Sequence, residues 1–295
     1  MISIIVPTYN AAGHLDALVS SLRAQTEQDV EILIIDSASE DPTVEIARSC
    51  GCRVLTVEKA DFDHGTTRNL AAAGTSGEFI VFLTQDALPA DEHLLAELIT
   101  PLRADPTIAV CYGRQLPRPD AGVLECFARN FNYPDRSVLK SRKDIETLGL
   151  KTFFCSNSCA AYRRSVFETL GGFKNNVIAN EDMLFAANAI ARGYSVYYAA
   201  AARVYHSHAD SLGRRFQRYF NIGQFFADNR EVFGKIGLGG YGAAMIRAGA
   251  ATFKRQKVSF YTVLLIIDCA LKAVACKTGW YYQRFQRVRR GTPRR

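Results

Sequence analysis

Ile2-Ser3-Ile4-Ile5-Val6-Pro7-Thr8-Tyr9-Asn10 is an almost unbroken apolar run, rich in β-branched residues, closed by a proline and a polar stretch. It predicts a buried strand over residues 2–6. Three more runs follow the same plan. Residues 31–35 stop at Asp36, residues 53–57 form a third run, and residues 79–83 stop at Thr84-Gln85-Asp86. Between them, apolar residues recur at helical spacing. Leu15, Leu18, Val19 and Leu22 mark a helix over 13–26, Val44 and Ala47 a second, residues 69–73 a third, and Leu94, Leu95, Leu98 and Leu102 a fourth. Strands alternating with helices specify a mostly parallel central sheet with helices on both faces. Open sheets of this kind bind ligands at the carboxyl ends of their strands. Those ends carry Pro7, Thr8, Tyr9, Asp36 and Asp86, so the two carboxylates are expected to face one crevice.

The second half is less regular. Residues 108–111 predict a strand, 123–131 a helix with an aromatic face, and 165–170 a helix stopped by Gly171-Gly172. Asn180 is placed to cap a helix over 181–193. A strand over 195–205 runs into His206-Ser207-His208. The charge layout divides the chain of 295 residues. The whole carries +7, but residues 213–295 hold 17 basic and 3 acidic side chains, and residues 1–212 hold 19 and 26. The expected organisation is therefore a slightly acidic domain over 1–212 and a basic, aromatic, helical extension over 213–295. A basic segment favours a polyanionic partner, either nucleic acid or an anionic membrane. The eight cysteines show no zinc spacing, and a chain of this length needs no disulfide staples. Met1 leads straight into the first strand without a basic leader, so no secretory signal is expected.

Three sets of residues carry candidate chemistry. Asp86, at a strand end, is either a turn aspartate or a ligand for a divalent cation that shares its shell with phosphates. Glu181-Asp182 opens a helix, where acids suit the helix dipole, or supplies a general base for an attacking hydroxyl. His206 and His208 are either structural or a metal or phosphate pair. A literal GxGxxG at Gly237, Gly239 and Gly242 lies in the basic segment and has no acidic residue about twenty positions on, so it is a poor dinucleotide loop. Neither a P-loop nor a nucleophile elbow occurs.

Five ordered motifs together resemble the family-2 glycosyltransferases, over about residues 1–212. They are residues 3–10, the strand and turn over 31–41, Arg68-Asn69, Phe82-Leu83-Thr84-Gln85-Asp86, and Asn180-Glu181-Asp182. Phe62-Asp63-His64-Gly65-Thr66-Thr67-Arg68-Asn69, Leu83-Thr84-Gln85-Asp86-Ala87 and His206-Ser207-His208 are most similar to bacterial rhamnosyltransferases. The resemblance implies the GT-A fold and an inverting transfer, with dTDP-L-rhamnose as donor and a growing bacterial glycan, free or lipid-linked, as acceptor. It implies that Pro7, Thr8, Tyr9 and Asp36 line the nucleotide pocket with Ser37 and Gln85. Arg68 is implied to lie near the diphosphate, and Asp86, helped by His206 or His208, to bind Mg2+ or Mn2+. Asp182 is implied as catalytic base, with Glu181 beside it. Ser37 stands where the family often has a second acid, and Gln85 replaces an acid before Asp86. Uridine and thymidine donors therefore both remain open.

In the extension, Asp268 and Lys272 interrupt the apolar run over 258–276, which argues against a membrane span. Trp280, Tyr281 and Tyr282 precede six arginines between Arg284 and Arg295. Aromatics beside cations suit a segment lying in a membrane interface. The other reading is a helical oligomerisation element. The expected setting is cytoplasmic, peripheral on the inner face of the cell membrane, with no nucleic-acid partner and with room for a homo-oligomer.

Overall fold

The structure is a computed structural model, and it describes residues 1–207, 211–234 and 240–289. The strands are β1 (Ile2–Thr8), β2 (Val30–Asp36), β3 (Arg53–Thr56), β4 (Phe79–Leu83), β5 (Leu88–Pro89), β6 (Ile108–Leu116), β7 (Val138–Lys140), β8 (Cys159–Arg163) and β9 (Ser195–Tyr205). The helices are α1 (Leu15–Arg23), α2 (Thr43–Ser49), α3 (His64–Ala73), α4 (Leu94–Ala104), α5 (Val123–Asn132), α6 (Ile145–Leu148), α7 (Arg164–Thr169), α8 (Glu181–Ala191), α9 (Leu212–Asp228), α10 (Arg230–Phe233), α11 (Tyr241–Arg255) and α12 (Phe260–Arg289). They divide into two compact units.

The first unit, residues 1–119, 133–177 and 181–207, holds one sheet in the order β3-β2-β1-β4-β8-β6-β9-β5, with β7 pairing β9. From β3 to β4 the strands are parallel, as the alternation predicts. β8 then runs antiparallel between β4 and β6, and β6 pairs with β9 in parallel. β8 has no counterpart in the sequence pattern. Its Cys-Ala-Ala-Tyr-Arg carries no β-branched residue, and its place in the sheet comes from burial of small side chains between neighbours. β1 extends past Pro7 to Thr8 along β2, whereas its pairing with β4 stops at Ile5.

Alternation along the strands serves two cores. Ile4 and Val6 face Leu15, Leu18 and Leu22 of α1 and Leu94 and Leu98 of α4. On the opposite side Phe82, Tyr162, Phe167, Phe173 and Phe185 make edge and tilted ring contacts, from 5.0 Å (Phe167–Phe173) to 6.2 Å (Phe82–Phe167). α3 starts at His64, five residues before the expected helix, because the Asp63 carboxylate accepts from the Thr66 N–H at 2.7 Å and caps it. Gly65 is required there, since a Cβ would run into the Lys174 carbonyl.

The second unit combines residues 120–132 and 178–180 with the described residues after 207. Phe127, Met245, Phe253 and Leu265 form its core, drawing on α5, α11 and α12. α9 and α12 touch backbone to backbone. A Cβ on Gly223 would strike the Cys276 carbonyl, and one on Gly279 the Phe220 carbonyl. Asn180, expected as a cap, has the left-handed backbone angle φ +58°, which asparagine tolerates better than most residues. Among the described residues no helix is long and apolar enough to cross a membrane. Gly237 and Gly239 lie outside the described residues, and Gly242 falls in the first turn of α11.

Candidate active site

In the first unit, three parallel strand ends carry the expected polar residues. The register sets Thr8 beside Asp36 and Pro7 beside Ile35. Asp36 is fully buried and well supplied with donors. Thr8 Oγ1 donates at 2.9 Å and Ser39 Oγ at 2.6 Å to Oδ1, and the Ser39 N–H donates at 2.8 Å to Oδ2. Ser37 is buried next to it, and its N–H donates to the Thr8 carbonyl at 2.9 Å. Tyr9 is exposed, and its main chain is clamped by Gln85. The Tyr9 N–H donates to Gln85 Oε1 at 2.8 Å, and Gln85 Nε2 donates back to the Tyr9 carbonyl at 3.1 Å. Lys59 Nζ donates to the Tyr9 hydroxyl at 2.6 Å and stands 4.6 Å from the ring centre.

A second cluster follows β4. Asp86 Oδ2 lies 3.4 Å from His206 Nε2, and Arg118 Nη2 donates to the Asp86 carbonyl at 3.2 Å. Gln115 uses its amide nitrogen on Ser156 Oγ at 2.9 Å, so its Oε1 faces His206 Nδ1 at 2.9 Å as an acceptor. Nε2 is then the ring nitrogen turned toward the Asp86 carboxylate. A histidine whose other nitrogen donates to a carbonyl is the usual form of a metal-ligating imidazole. Among the described residues no three His, Cys, Asp or Glu side chains gather as a metal cage. Two donors nevertheless fit an Mg2+-type ion, which takes few protein ligands and completes its shell with phosphate oxygens and water. His208 lies outside the described residues.

The third cluster opens α8. Glu181 is buried and Asp182 half-buried. Arg68 Nη1 lies 3.2 Å from Glu181 Oε1, and its other contacts are the His64 carbonyl at 3.0 Å and His64 Nδ1 at 3.4 Å. Asn157 joins both acids. Its side-chain nitrogen donates to Glu181 at 3.0 Å, and its N–H donates to Asp182 Oδ2 at 2.9 Å. It also accepts from the Tyr162 hydroxyl at 2.7 Å, and the Met183 N–H donates to Asp182 Oδ1 at 2.7 Å. Burial alone would raise the Glu181 carboxyl, but the charges of Arg68 and His64 and the Asn157 hydrogen bond outweigh it and hold Glu181 below its usual range. Asp182 goes the other way. Burial, then the negative Glu181 beside it, push it up to about 7, against the pull of the two N–H donors and Arg68. Burial likewise lowers His64, with Glu181 opposing.

The clusters are physically joined. Thr84, just past β4, donates its N–H to the Ser158 carbonyl at 3.3 Å, because β4 and β8 end together. Asp86 thus connects through His206, Gln115 and Ser156 to Asn157, and from there to Glu181 and Asp182. Ser37 Oγ, Thr84 Oγ1 and Arg68 Nε are three of the four buried side-chain atoms without a hydrogen-bond partner among the described residues. Polar atoms left so are costly unless a ligand meets them. Asn157, Gln115, Ser39 and His64 are contributors that spacing did not single out. Asn157 and Gln115 act across 24 to 91 residues of chain, so no local pattern marks them.

Residues 3–171, which include the strand ends, Arg68, Asp86 and Asn157, match the family model described as glycosyl transferase family 2. The chain belongs to that family. Two similar proteins are the O-antigen chain rhamnosyltransferases RfbN of Salmonella typhimurium and WbaN of Salmonella anatum. They are 42% and 41% identical, over 96% and 95% of this chain and 90% of each relative. Among solved structures, a mannosyltransferase from Pyrobaculum calidifontis in complex with GDP-Man and Mn2+ aligns with a TM-score of 0.64 at 21% identity, over 95% of this chain and 87% of that one. Residues 1–349 of S. aureus TarS align at 0.56 and 18% identity, over 100% of this chain and 93% of that one. At these identities the likeness speaks for the fold, which is GT-A. This family-2 member is a glycosyltransferase, and its motifs account for the acidic unit that a nucleic-acid-binding protein would leave unexplained.

Proposed function

We propose that this glycosyltransferase moves L-rhamnose from dTDP-L-rhamnose to a hydroxyl of a bacterial cell-surface glycan or lipid-linked saccharide, inverting the anomeric centre. Residues 1–212 carry the transfer. The observation behind this reading is Asp182, a half-buried carboxylate with two N–H donors and an acidic neighbour, linked through the Ser156-Asn157 backbone and Gln115 to the His206 and Asp86 pair. The choice of sugar is supported by two relatives named as rhamnosyltransferases along nearly the whole chain.

Pro7, Thr8, Tyr9, Asp36 and Ser37 would line the nucleotide pocket, with Gln85 holding the Tyr9 backbone and the unpartnered Ser37 hydroxyl available to the base. Arg68, held by Glu181, offers its buried Nε–H toward the diphosphate. A divalent cation held by Asp86 and His206 would, when bound, supply stabilisation of the negative charge that develops on the phosphate oxygens. Asp182 takes the proton of the acceptor hydroxyl as its oxygen bonds to the anomeric carbon and the carbon–phosphate oxygen bond breaks. A base near pH 7 suits this task, since it is ionised enough to accept a proton and basic enough to hold it. One displacement gives inversion.

The test is a panel of nucleotide sugars scored by thermal stabilisation with Mg2+ or Mn2+, followed by NMR of the transferred linkage. Stabilisation by dTDP-L-rhamnose above all others, with an inverted product, is expected. Selective response to a uridine-linked sugar would overturn the donor, and a retained linkage would overturn the mechanism.

A further inference from the structure

The second unit presents a helix face that its own packing leaves open. α12 is 30 residues long, about 45 Å at 1.5 Å per residue. Its inner side is set by the Gly223 and Gly279 contacts with α9 and by an ion-pair network. Arg215 and Lys272 both reach Asp268, each at 2.6 Å. The two charges that interrupt the apolar run in the sequence are therefore spent against α9, leaving the outer face without them. That outer face carries Phe260, Val263, Ile266, Ile267 and Val274, exposed by 45 to 68%. Farther along the same helix it carries Tyr281, Phe285 and Val288 beside exposed Lys277 and Arg284. Phe260, Ile267, Val274, Tyr281 and Val288 are seven residues apart, so they form one continuous stripe.

We infer that this stripe of α12 is a docking surface for an anionic lipid bilayer, lying in the plane of the interface with its apolar half among acyl chains and its arginines at headgroup level. Charge complementarity selects the occupant. The region from residue 213 on carries 17 basic and 3 acidic side chains, and the stripe itself mixes cations with aromatics, the composition of interfacial helices. A second copy fits less well. Read as a coiled-coil seam, the stripe is completed either by Val263, Ala270, Lys277 and Arg284, which buries cations, or by Leu264, Leu271, Thr278 and Phe285, which leaves the basic excess of the extension without an acidic counterpart.

The experiment is co-sedimentation of the full chain with sucrose-loaded vesicles of phosphatidylcholine alone and of phosphatidylcholine with one quarter phosphatidylglycerol. The pair Ile267→Asp and Val274→Asp is compared with wild type. Expected are binding to the anionic vesicles, a marked drop on neutral vesicles, and an at least tenfold weaker partition for the double variant. Circular dichroism and donor turnover, measured on the same samples, should not change. No sedimentation, equal binding to neutral vesicles, or binding unaffected by the two substitutions would overturn the inference. So would a concentration-dependent dimer in sedimentation velocity that the double variant abolishes, which would make a second copy the occupant. Donor turnover is read separately, so failure here is distinguishable from failure of the proposed sugar transfer.

Discussion

Asp36 and Asp182 stand at the same end of one sheet and are handled in opposite ways. Asp36 receives three donors from Thr8 and Ser39, residues on its own strand end and the neighbouring one. Asp182 receives only two backbone donors and sits against Glu181, so burial and like charge raise it to about 7. Asp36 is held by side-chain and main-chain donors from two strand ends, whereas Asp182 has only main-chain donors and an acidic neighbour, the setting the proposed base requires. The lesson is that burial alone does not define a catalytic acid; the balance of donors and neighbouring charges does.

The strongest way to break this contrast is Asp182→Asn, expected to lower kcat by about 10²–10⁴ while leaving donor affinity intact. Turnover near wild type would remove Asp182 from its role. The same variant carries a stability signature. The folded-state carboxyl titrates above its ordinary 3.8, so the folded state binds the proton more tightly and wild-type stability falls as pH rises from about 4 to about 7. Asp182→Asn should therefore melt higher than wild type at pH 8, with the gap closing toward pH 4, in thermal melts across that range.

Next in size is Asn157→Ala. It removes the oxygen acceptor of the Tyr162 hydroxyl, leaving only Cys155 Sγ beside it, and one Glu181 contact, costing about 1–3 kcal/mol in denaturant titration. Asp36→Ala, by comparison, should weaken donor binding in calorimetry without moving the pH profile. Glu181→Gln sharpens the contrast further. Removing the like charge lowers Asp182, so the acid limb of the kcat profile should shift to lower pH. An unmoved limb would show that Glu181 does not set it. The smallest effect is expected from Lys59→Ala, which removes an exposed contact to the Tyr9 hydroxyl. It should change donor KM by less than a few-fold.

Much of the first half of this chain was readable before any coordinate. Strands β1 to β4 are parallel apolar runs, and Thr8, Asp36 and Asp86 mark their ends because local hydrophobic periodicity and strand length decide both. The alanine-rich β8 was not readable, nor was the reach of α3 back to His64, which hangs on a single cap at Asp63. The family motifs pointed to Glu181-Asp182 as the candidate base. They did not name Asn157, which holds both acids together.

By itself, then, the sequence determined the alternating strands and helices, the acidic strand ends, and a basic extension whose apolar run carries two charges. Only tertiary structure decided that β8 enters antiparallel and carries Asn157 to the acids, that His206 turns toward Asp86, and that Asp268 and Lys272 face inward so that one side of α12 is left bare. The physical reason is range. Periodicity and capping act within a few residues, whereas the state of a buried charge is set by whatever side chains the fold brings within a few ångströms, however distant along the chain.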